Sequence, residues 1–529
     1  PLLKAYHYPA VFAPVTGWLD TPANQKITYA DKMLDRSVFA TWSQVKEMEQ
    51  SGLVEVASHT HNLHNGINAN PSGGQLPSVI APEYKNGKYE TEDAYKNRLK
   101  SDFARSVQTL VNHIGKKPRV MVWPYGQFND VAVQLARQAG MPHYFSLGEK
   151  IINKVGDKHI GRLLLNAETD LNTVKNYLDG IDESKQIQRV LHVDLDYVYD
   201  ADKAQQAKNL DKLIDRIYRY GVTTVYLQAF SDPDGDGVAD ALYFPNKYLP
   251  VRDDIFGRIA WQLQTRAGVK VYAWMPVLAF DLRKSVKEAE YVIDSRTGKP
   301  STKAYLRLSP YNKQNVEIIK SIYNDLSFYA KFNGILFHDD AFLTDFEGAE
   351  GNHAEGIVSP QAKQKTQDLI QLTHQLTDAL KPYFLRGSYS LKTARNLYAS
   401  VITNPNAEEW LAQNLKTLTD NYDTTAIMAM PYMENEQPIS QEEAYQWFAS
   451  LIENVKAQAP LDKVLFEFQA VNWRTQKPIP ESELIDWMML LQKNHIYSYG
   501  YYPDNFLTNQ PDLNKMKPYF SVNTNAGKK

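Results

Sequence analysis

The chain has 529 residues, with Lys+Arg 58 against Asp+Glu 61 and a formal net charge of −3, a balance that excludes the basic footprint of a nucleic-acid-binding protein. Its 43% apolar and 22% charged residues describe an ordinary globular protein, too long for one hydrophobic core, and its 12% aromatic residues are a modest excess that suits sugar stacking as well as packing. It contains no Cys, which excludes disulfides, thiolate metal sites and a Cys nucleophile.

The chain opens PLLKAYHYPAVFAPVTGW, the end of a helix running straight into a strand. A domain seldom starts there and the first residue is not Met, so the expectation is that residues upstream of Pro1, and any targeting segment with them, are missing from this sequence. No apolar run has the length of a bilayer span. Over residues 1–180 strand-like and helix-like stretches alternate, which predicts an α/β domain. Strands are predicted at 8–15, 53–60, 119–126 and 143–148, helices at 41–51 and 92–115, and a long loop at 65–90. A polar linker at 181–188 follows.

From 189 to 529 the rhythm becomes regular. Strands are predicted at 189–198, 222–230, 269–277, 334–341, 390–398, 425–432, 463–470 and 496–505. Helical patterns lie between most of them, at 203–220, 254–267, 313–331, 360–381, 407–420 and 440–457. This alternation suits a (β/α)8 TIM-like barrel, whose active site lies at the C-terminal ends of the strands. A doubly wound open sheet is the structural alternative.

Residues 58–66 read SHTHNLHNG and hold three of the 12 histidines. His59 and His61 share a strand face by the period of two, and a strand end followed by a turn brings His59 and His64 together. Neutral imidazole suits a divalent metal ion, Zn2+, Ni2+ or Co2+, with iron as a further option. A pair of imidazoles, a carboxylate and open positions for water make a hydrolytic site. The plain alternative is a polar loop of hydrogen-bonded histidines.

The order of SHTHNLH after one strand and WPYG after the next, at 123–126, resembles the polysaccharide deacetylases of carbohydrate esterase family 4. Their second motif, H-[ST]-x-x-x-H, matches His59-Thr60-His61-Asn62-Leu63-His64, and their Pro-Tyr/Phe-Gly turn matches Pro124-Tyr125-Gly126. The resemblance implies an NodB-like deacetylase domain with His59 and His64 as metal ligands, Pro124 and Tyr125 lining the site, and His61 a bystander on the rim. It implies metal-activated water attacking an N-acetyl carbonyl, with release of acetate. The sequence also departs from that family. The Asp-Asp motif that supplies the general base and third ligand has no counterpart in residues 1–58, whose acids are Asp20, Asp31, Asp35, Glu47, Glu49 and Glu55. By the family's order it falls upstream of Pro1, and little deacetylase activity is expected of these 529 residues by themselves. Val122-Trp123 stand where the third motif usually carries an Arg, and Asn166 in RLLLNAETD stands where a late motif ends in an acid His.

Acids gather at the ends of the later strands: Asp194 and Asp196 in HVDLDYVYD, Asp232, Asp234, Asp236 and Asp240 in DPDGDGVAD, Asp339 and Asp340 in FHDDAF, and Glu467. Carboxylates on both sides of a cleft are what glycoside hydrolysis needs, although barrel mouths are polar in any case. Adjacent residues on a strand point to opposite sides, so one of Asp339 and Asp340 is expected to face the cleft. Trp274, Tyr432, Trp473, Tyr501 and Tyr502 lie near strand ends and are candidate sugar platforms. DPDGDGVAD also has the Asp and Gly spacing of a calcium loop, but Tyr243 replaces its final bidentate Glu, so it reads as a tight Asp/Gly turn.

Taken together, the deacetylase motifs and HVDLDYVYD, YLQAFSDPDGDG, YAWMPVL, GILFHDDA, KTARN, AIMAMPY and GYYPDNFL resemble the poly-β-1,6-N-acetyl-D-glucosamine N-deacetylases of Gram-negative biofilm systems, over essentially the whole chain. The resemblance implies a periplasmic protein, outer-membrane anchored by a lipid absent from this sequence, that partly deacetylates the polymer before export through a partner porin. It implies a circularly permuted deacetylase domain whose acid His lies near the N-terminus, and a barrel that binds the partly deacetylated polymer and in some members cleaves it. On it rest Asp339 and Asp340 as catalytic candidates and Asp194, Asp196, Asp232, Trp274, Tyr432, Glu467, Trp473 and Tyr502 as sugar-binding candidates. A monomer is expected. The acids would favour glucosamine, which is cationic, over its acetylated form. The rivals are a barrel that binds without cleaving, and a family-13-like α-glucan hydrolase behind an unrelated N-terminal domain.

Overall fold

The computed structural model describes residues 2–29, 32–147, 152–179, 187–301, 305–347, 358–387 and 390–523. Most of the predicted linker, at 181–186, and the last residue of the 143–148 strand lie outside these residues. The chain forms two compact units: one comprises 1–183 with 327–329 and 381–390, and the other the remainder to 529.

The first unit is built on short parallel strands, β1 (Ala10–Phe12), β2 (Val54–Val56), β3 (Val120–Val122), β4 (His143–Leu147) and β5 (His159–Arg162). β1 pairs with β2, and β4 lies between β3 and β5. A parallel bridge from Ser58 to Met121 joins the two sets. Helices α1 (Trp42–Gln50), α2 (Glu92–Ile114) and α3 (Asp130–Gln138) cover them. α1 opens on a capping box made by Thr41 and Gln44, and α2 on Thr91, with Glu92 and Asp93 complementing its dipole. Gly115, at φ 72°, ends α2. The core packs Leu99, Phe103, Met121, Trp123, Phe128 and Tyr144 together. The stretch 65–90, read as a loop, instead holds two hairpins, Gly66–Asn68 with Gln75–Pro77 and Tyr84–Lys85 with Lys88–Tyr89. The second turns at Asn86-Gly87, both at positive φ, as a two-residue hairpin turn requires.

The second unit is a closed barrel of eight parallel strands in chain order: β6 (Arg189–Val193), β7 (Thr224–Gln228), β8 (Lys270–Met275), β9 (Gly334–Phe337), β10 (Lys392–Tyr398), β11 (Thr424–Ala429), β12 (Val464–Gln469) and β13 (Tyr499–Tyr502). Closure is by β6, which pairs with both β7 and β13, so the doubly wound alternative is excluded. Helices Lys203–Tyr220, Phe256–Gln262, Lys313–Tyr329, Pro360–Leu380, Leu415–Asn421, Gln441–Gln458 and Glu481–Lys493 separate successive strands. β6, β7, β9, β11 and β12 are buried at every residue, as parallel strands covered on both faces must be. Gly500 has a packing reason: a Cβ there would stand 2.5 Å from the Val190 carbonyl oxygen.

Candidate functional site

In the first unit, the backbone N–H groups of Ala57 and Ser58, just after β2, donate to the Phe12 and Val120 carbonyls, and Thr60 then takes a φ of 71°. This turn brings the rings of His59 and His64 to 5.0 Å between centroids. His59 Nδ1 lies 2.6 Å from the Val122 carbonyl oxygen and donates to it, which leaves Nε2 with a free lone pair. His64 Nδ1 is buried without a hydrogen-bond partner. Burial pushes His59 down to about 4; the Val122 bond opposes this, while His64 and Arg162 add to the lowering. Burial lowers His64 as well. Both imidazoles are therefore neutral near pH 7, the state in which they ligate metal ions. This donor set fits a divalent cation. Among the described residues, no third His, Asp, Glu or Cys closes on the pair.

Tyr125, at φ 57°, turns its ring to 4.4 Å from that of His64, and Pro124, which opens the turn, is buried. Gly126 must lack a side chain, because a Cβ would stand 2.6 Å from Leu147 Cβ. Trp18 and Tyr29, at 5.2 and 5.8 Å from His64, complete an aromatic rim that sequence reading missed. His61 is not on the rim. It is 6% exposed and its Nδ1 pairs with Thr16 Oγ1 at 2.9 Å. The backbone N–H groups of His61 and Asn62 donate to Asp102 at 2.8 and 2.7 Å, so a carboxylate from α2 clamps the histidine loop. Arg162, at the end of β5, places a positive charge near enough to lower His59.

In the second unit, a cleft of about 610 Å3 opens at the C-terminal ends of the barrel strands. Of the residues singled out from sequence, Asp194, Asp196, Asp232, Trp274, Asp339, Glu467, Trp473 and Tyr502 line it. Asp339 is 5% exposed and held by hydroxyl donors: Tyr305 lies 3.0 Å from both its oxygens and Tyr398 lies 2.9 Å from Oδ2. Burial pushes both phenols well above 10, so they remain donors. Asp340 is not a cleft residue. It is fully buried, and its carboxylate accepts the backbone N–H groups of Val277, Leu278 and Ala279 at 2.6–3.0 Å, tying down the loop after β8. Its pairing with Asp339 as a catalytic candidate is corrected accordingly.

Asp194 is also buried, and like charge surrounds it. Burial pushes it up to about 8, Asp196 and Asp232 add like charge, and a hydrogen bond from Tyr502 offsets only part. Asp196 lines the cleft with its carboxylate already engaged by Tyr243, Arg252 and the Asp232 N–H. Asp232 is raised to about 6, chiefly by burial, and its oxygens accept the N–H groups of Gly235, Asp236 and Gly237. Glu467 is 1% exposed and its oxygens take His192 Nδ1 at 2.6 Å and Asn396 Nδ2 at 2.9 Å, so it buttresses the floor of the cleft. Tyr432 is outside the cleft: its hydroxyl donates to Glu483 at 2.5 Å and its ring faces Trp487. Tyr501 is likewise structural, donating to Asp504. Tyr305, Tyr398, His338 and His192 are cleft or clasp residues that sequence reading missed. FHDD and HVDLD placed the histidines at strand ends, but nothing local marked the tyrosines.

Comparison with known proteins agrees with this division. Residues 1–144 match the family described as polysaccharide deacetylase, and residues 192–502 match hypothetical glycosyl hydrolase family 13. The chain is 40% identical over 548 aligned positions to a poly-β-1,6-N-acetyl-D-glucosamine N-deacetylase of Escherichia coli K12, covering 99% of this chain and 80% of that protein. It is similar to the glycoside hydrolase domain of the PgaB (BpsB) protein of Bordetella bronchiseptica, with a TM-score of 0.58 and 38% identity, over 64% of this chain and all of that domain.

Proposed function

This chain belongs to the family of poly-β-1,6-N-acetyl-D-glucosamine N-deacetylases that carry a glycoside-hydrolase-like barrel, and we propose that it joins a metal-dependent deacetylase site to a barrel that binds and cleaves the deacetylated product. The observation that carries the barrel half is a pair of carboxyl groups in one cleft. Asp339 is clasped by hydroxyl donors, and Asp194 is kept protonated by burial and neighbouring charge. Such a pair divides the labour of glycoside hydrolysis, with Asp194 as proton donor to the leaving oxygen and Asp339 as the second carboxyl group. The aromatic faces of Trp274, Trp473 and Tyr502 support the sugar rings, and the acids Asp232, Asp234 and Asp236 favour units bearing a free ammonium group.

In the deacetylase half, His59 and His64 would hold a divalent ion, Zn2+, Ni2+, Co2+ or iron. That ion would supply a Lewis acid and an acidified water. The chain's own residues orient this site: Val122 fixes the His59 tautomer, Asp102 holds the loop, and Tyr125, Trp18 and Tyr29 form the wall against which an N-acetyl sugar packs. The setting is biofilm exopolysaccharide export, in the periplasm, with lipid attachment to the outer membrane and a partner porin. The test is incubation of partly deacetylated β-1,6-linked polymer with the protein and with Asp339→Asn and Asp194→Asn variants. Chain shortening by the parent and its loss in both variants is expected. Binding without shortening by the parent would leave the barrel a holding module.

A further inference from the structure

His338 directly follows β9 and lines the barrel cleft, and its two ring nitrogens have different surroundings. The indole N–H of Trp274 donates to His338 Nδ1 at 2.8 Å. Indole nitrogen is a donor only, so Nδ1 must be the acceptor and carries no proton. Asp339 Oδ1 lies 3.0 Å from the same nitrogen, but the directed hydrogen bond to it comes from Trp274, and Asp339 takes its own donors from Tyr305 and Tyr398. With Nδ1 an acceptor, the ring proton resides on Nε2. Among the described residues no group bonds His338 Nε2, and the ring lines the cleft. It is therefore a donor presented to whatever fills the cleft.

We infer that His338 is a specificity residue whose Nε2–H, fixed in that tautomer by Trp274, donates to an acceptor oxygen of the bound sugar and rejects an ammonium group at the same position. An ammonium is donor-only, so two N–H groups would face each other there. The cleft then has two sides of opposite preference. The acidic side, with Asp232, Asp234 and Asp236, takes a deacetylated unit. The His338 side takes an uncharged oxygen, from an acetamido carbonyl or a ring hydroxyl. Trp274 is the positioning residue: it lends its face to the cleft and its N–H to the histidine.

The inference rests on the reading that the cleft binds β-1,6-linked hexosamine chains, and the experiment separates the two. Binding of fully deacetylated and partly acetylated β-1,6-glucosamine oligomers is measured by calorimetry for the whole chain and for His338→Leu, His338→Gln and Trp274→Phe. His338→Leu is expected to weaken binding about tenfold, the size of one hydrogen bond, and His338→Gln, which keeps an N–H at that reach, to recover most of it. A loss confined to the acetylated oligomer assigns the acetamido oxygen; an equal loss on both assigns a ring hydroxyl. Either supports the inference. No loss on either, or a loss on the deacetylated oligomer alone, overturns it. If the parent chain binds neither oligomer, the reading of the cleft fails first. Nitrogen NMR of 15N-histidine-labelled parent protein tests the tautomer without any variant at position 338: the Nε2–H form is expected, with the preference relaxed in Trp274→Phe, and an Nδ1–H form refutes the inference.

Discussion

Exchanging the neighbouring acids one at a time separates chemistry from scaffolding. Asp340→Asn replaces a buried acceptor of three backbone N–H groups, from Val277, Leu278 and Ala279, with an amide that has one acceptor oxygen and an NH2 group. An amide oxygen in the place of Oδ2 still accepts from all three, but the NH2 group then faces the Val277 N–H in a fully buried site, and the charge assistance is gone from every one of these bonds. At about 1 kcal/mol for each bond that changes from charge-assisted to neutral, the cost is about 3 kcal/mol. Asp339→Asn is different: an amide oxygen still accepts from Tyr305 and Tyr398, so the stability cost is about 1 kcal/mol or less. Polymer cleavage, however, falls at least about 100-fold when the carboxyl group is lost. Thermal unfolding followed by circular dichroism, together with size analysis of the treated polymer, reads both effects. The reasoning is refuted if Asp340→Asn melts with the parent while abolishing cleavage, or if Asp339→Asn still shortens the polymer.

Four other outcomes are expected. The rate of polymer cleavage should fall as pH rises through about 8, because Asp194 must carry its proton to act as acid, and Asp194→Asn should remove that limb along with the activity. Stability of the deacetylase unit should drop as pH falls from 6.5 toward about 4. His59 is held at about 4 when folded and takes its proton near 6.5 when unfolded, so the unfolded chain binds the extra proton across that window; the loss is at most about 3 kcal/mol and should be absent in His59→Gln. These 529 residues should bind Zn2+ or Co2+ weakly and release little acetate, since no third ligand closes on His59 and His64 among the described residues; tight stoichiometric binding that survives His64→Ala would contradict the assigned ligands. Trp473→Ala should weaken oligomer binding several-fold by removing a stacking face, with the melting temperature little changed because that side chain is only half-buried.

Much of this protein is legible from its sequence because the signals are local. Five of the barrel strands are buried at every residue and read as largely apolar runs, and Thr91 and Gly115 mark the ends of a helix through backbone groups they satisfy themselves. His59 and His64 follow from a spacing that one left-handed residue, Thr60, converts into proximity. Asn86-Gly87 announces a hairpin that a reading of 65–90 as loop passed over. Tertiary structure decided the rest, for geometric reasons. Which of Asp339 and Asp340 meets the cleft depends on where β9 ends, and one residue of shift reverses the side. Tyr305 and Tyr398 are 34 and 59 residues from the Asp339 they clasp, so no window of sequence contains the contact. Tyr432 sits near a strand end like the cleft aromatics, yet its hydroxyl is claimed by Glu483 of a packing helix. The sequence by itself determined the elements and the supply of chemical groups. The closure of the barrel determined which of those groups share a cleft, because side-chain direction is set by register and packing, and both are long-range.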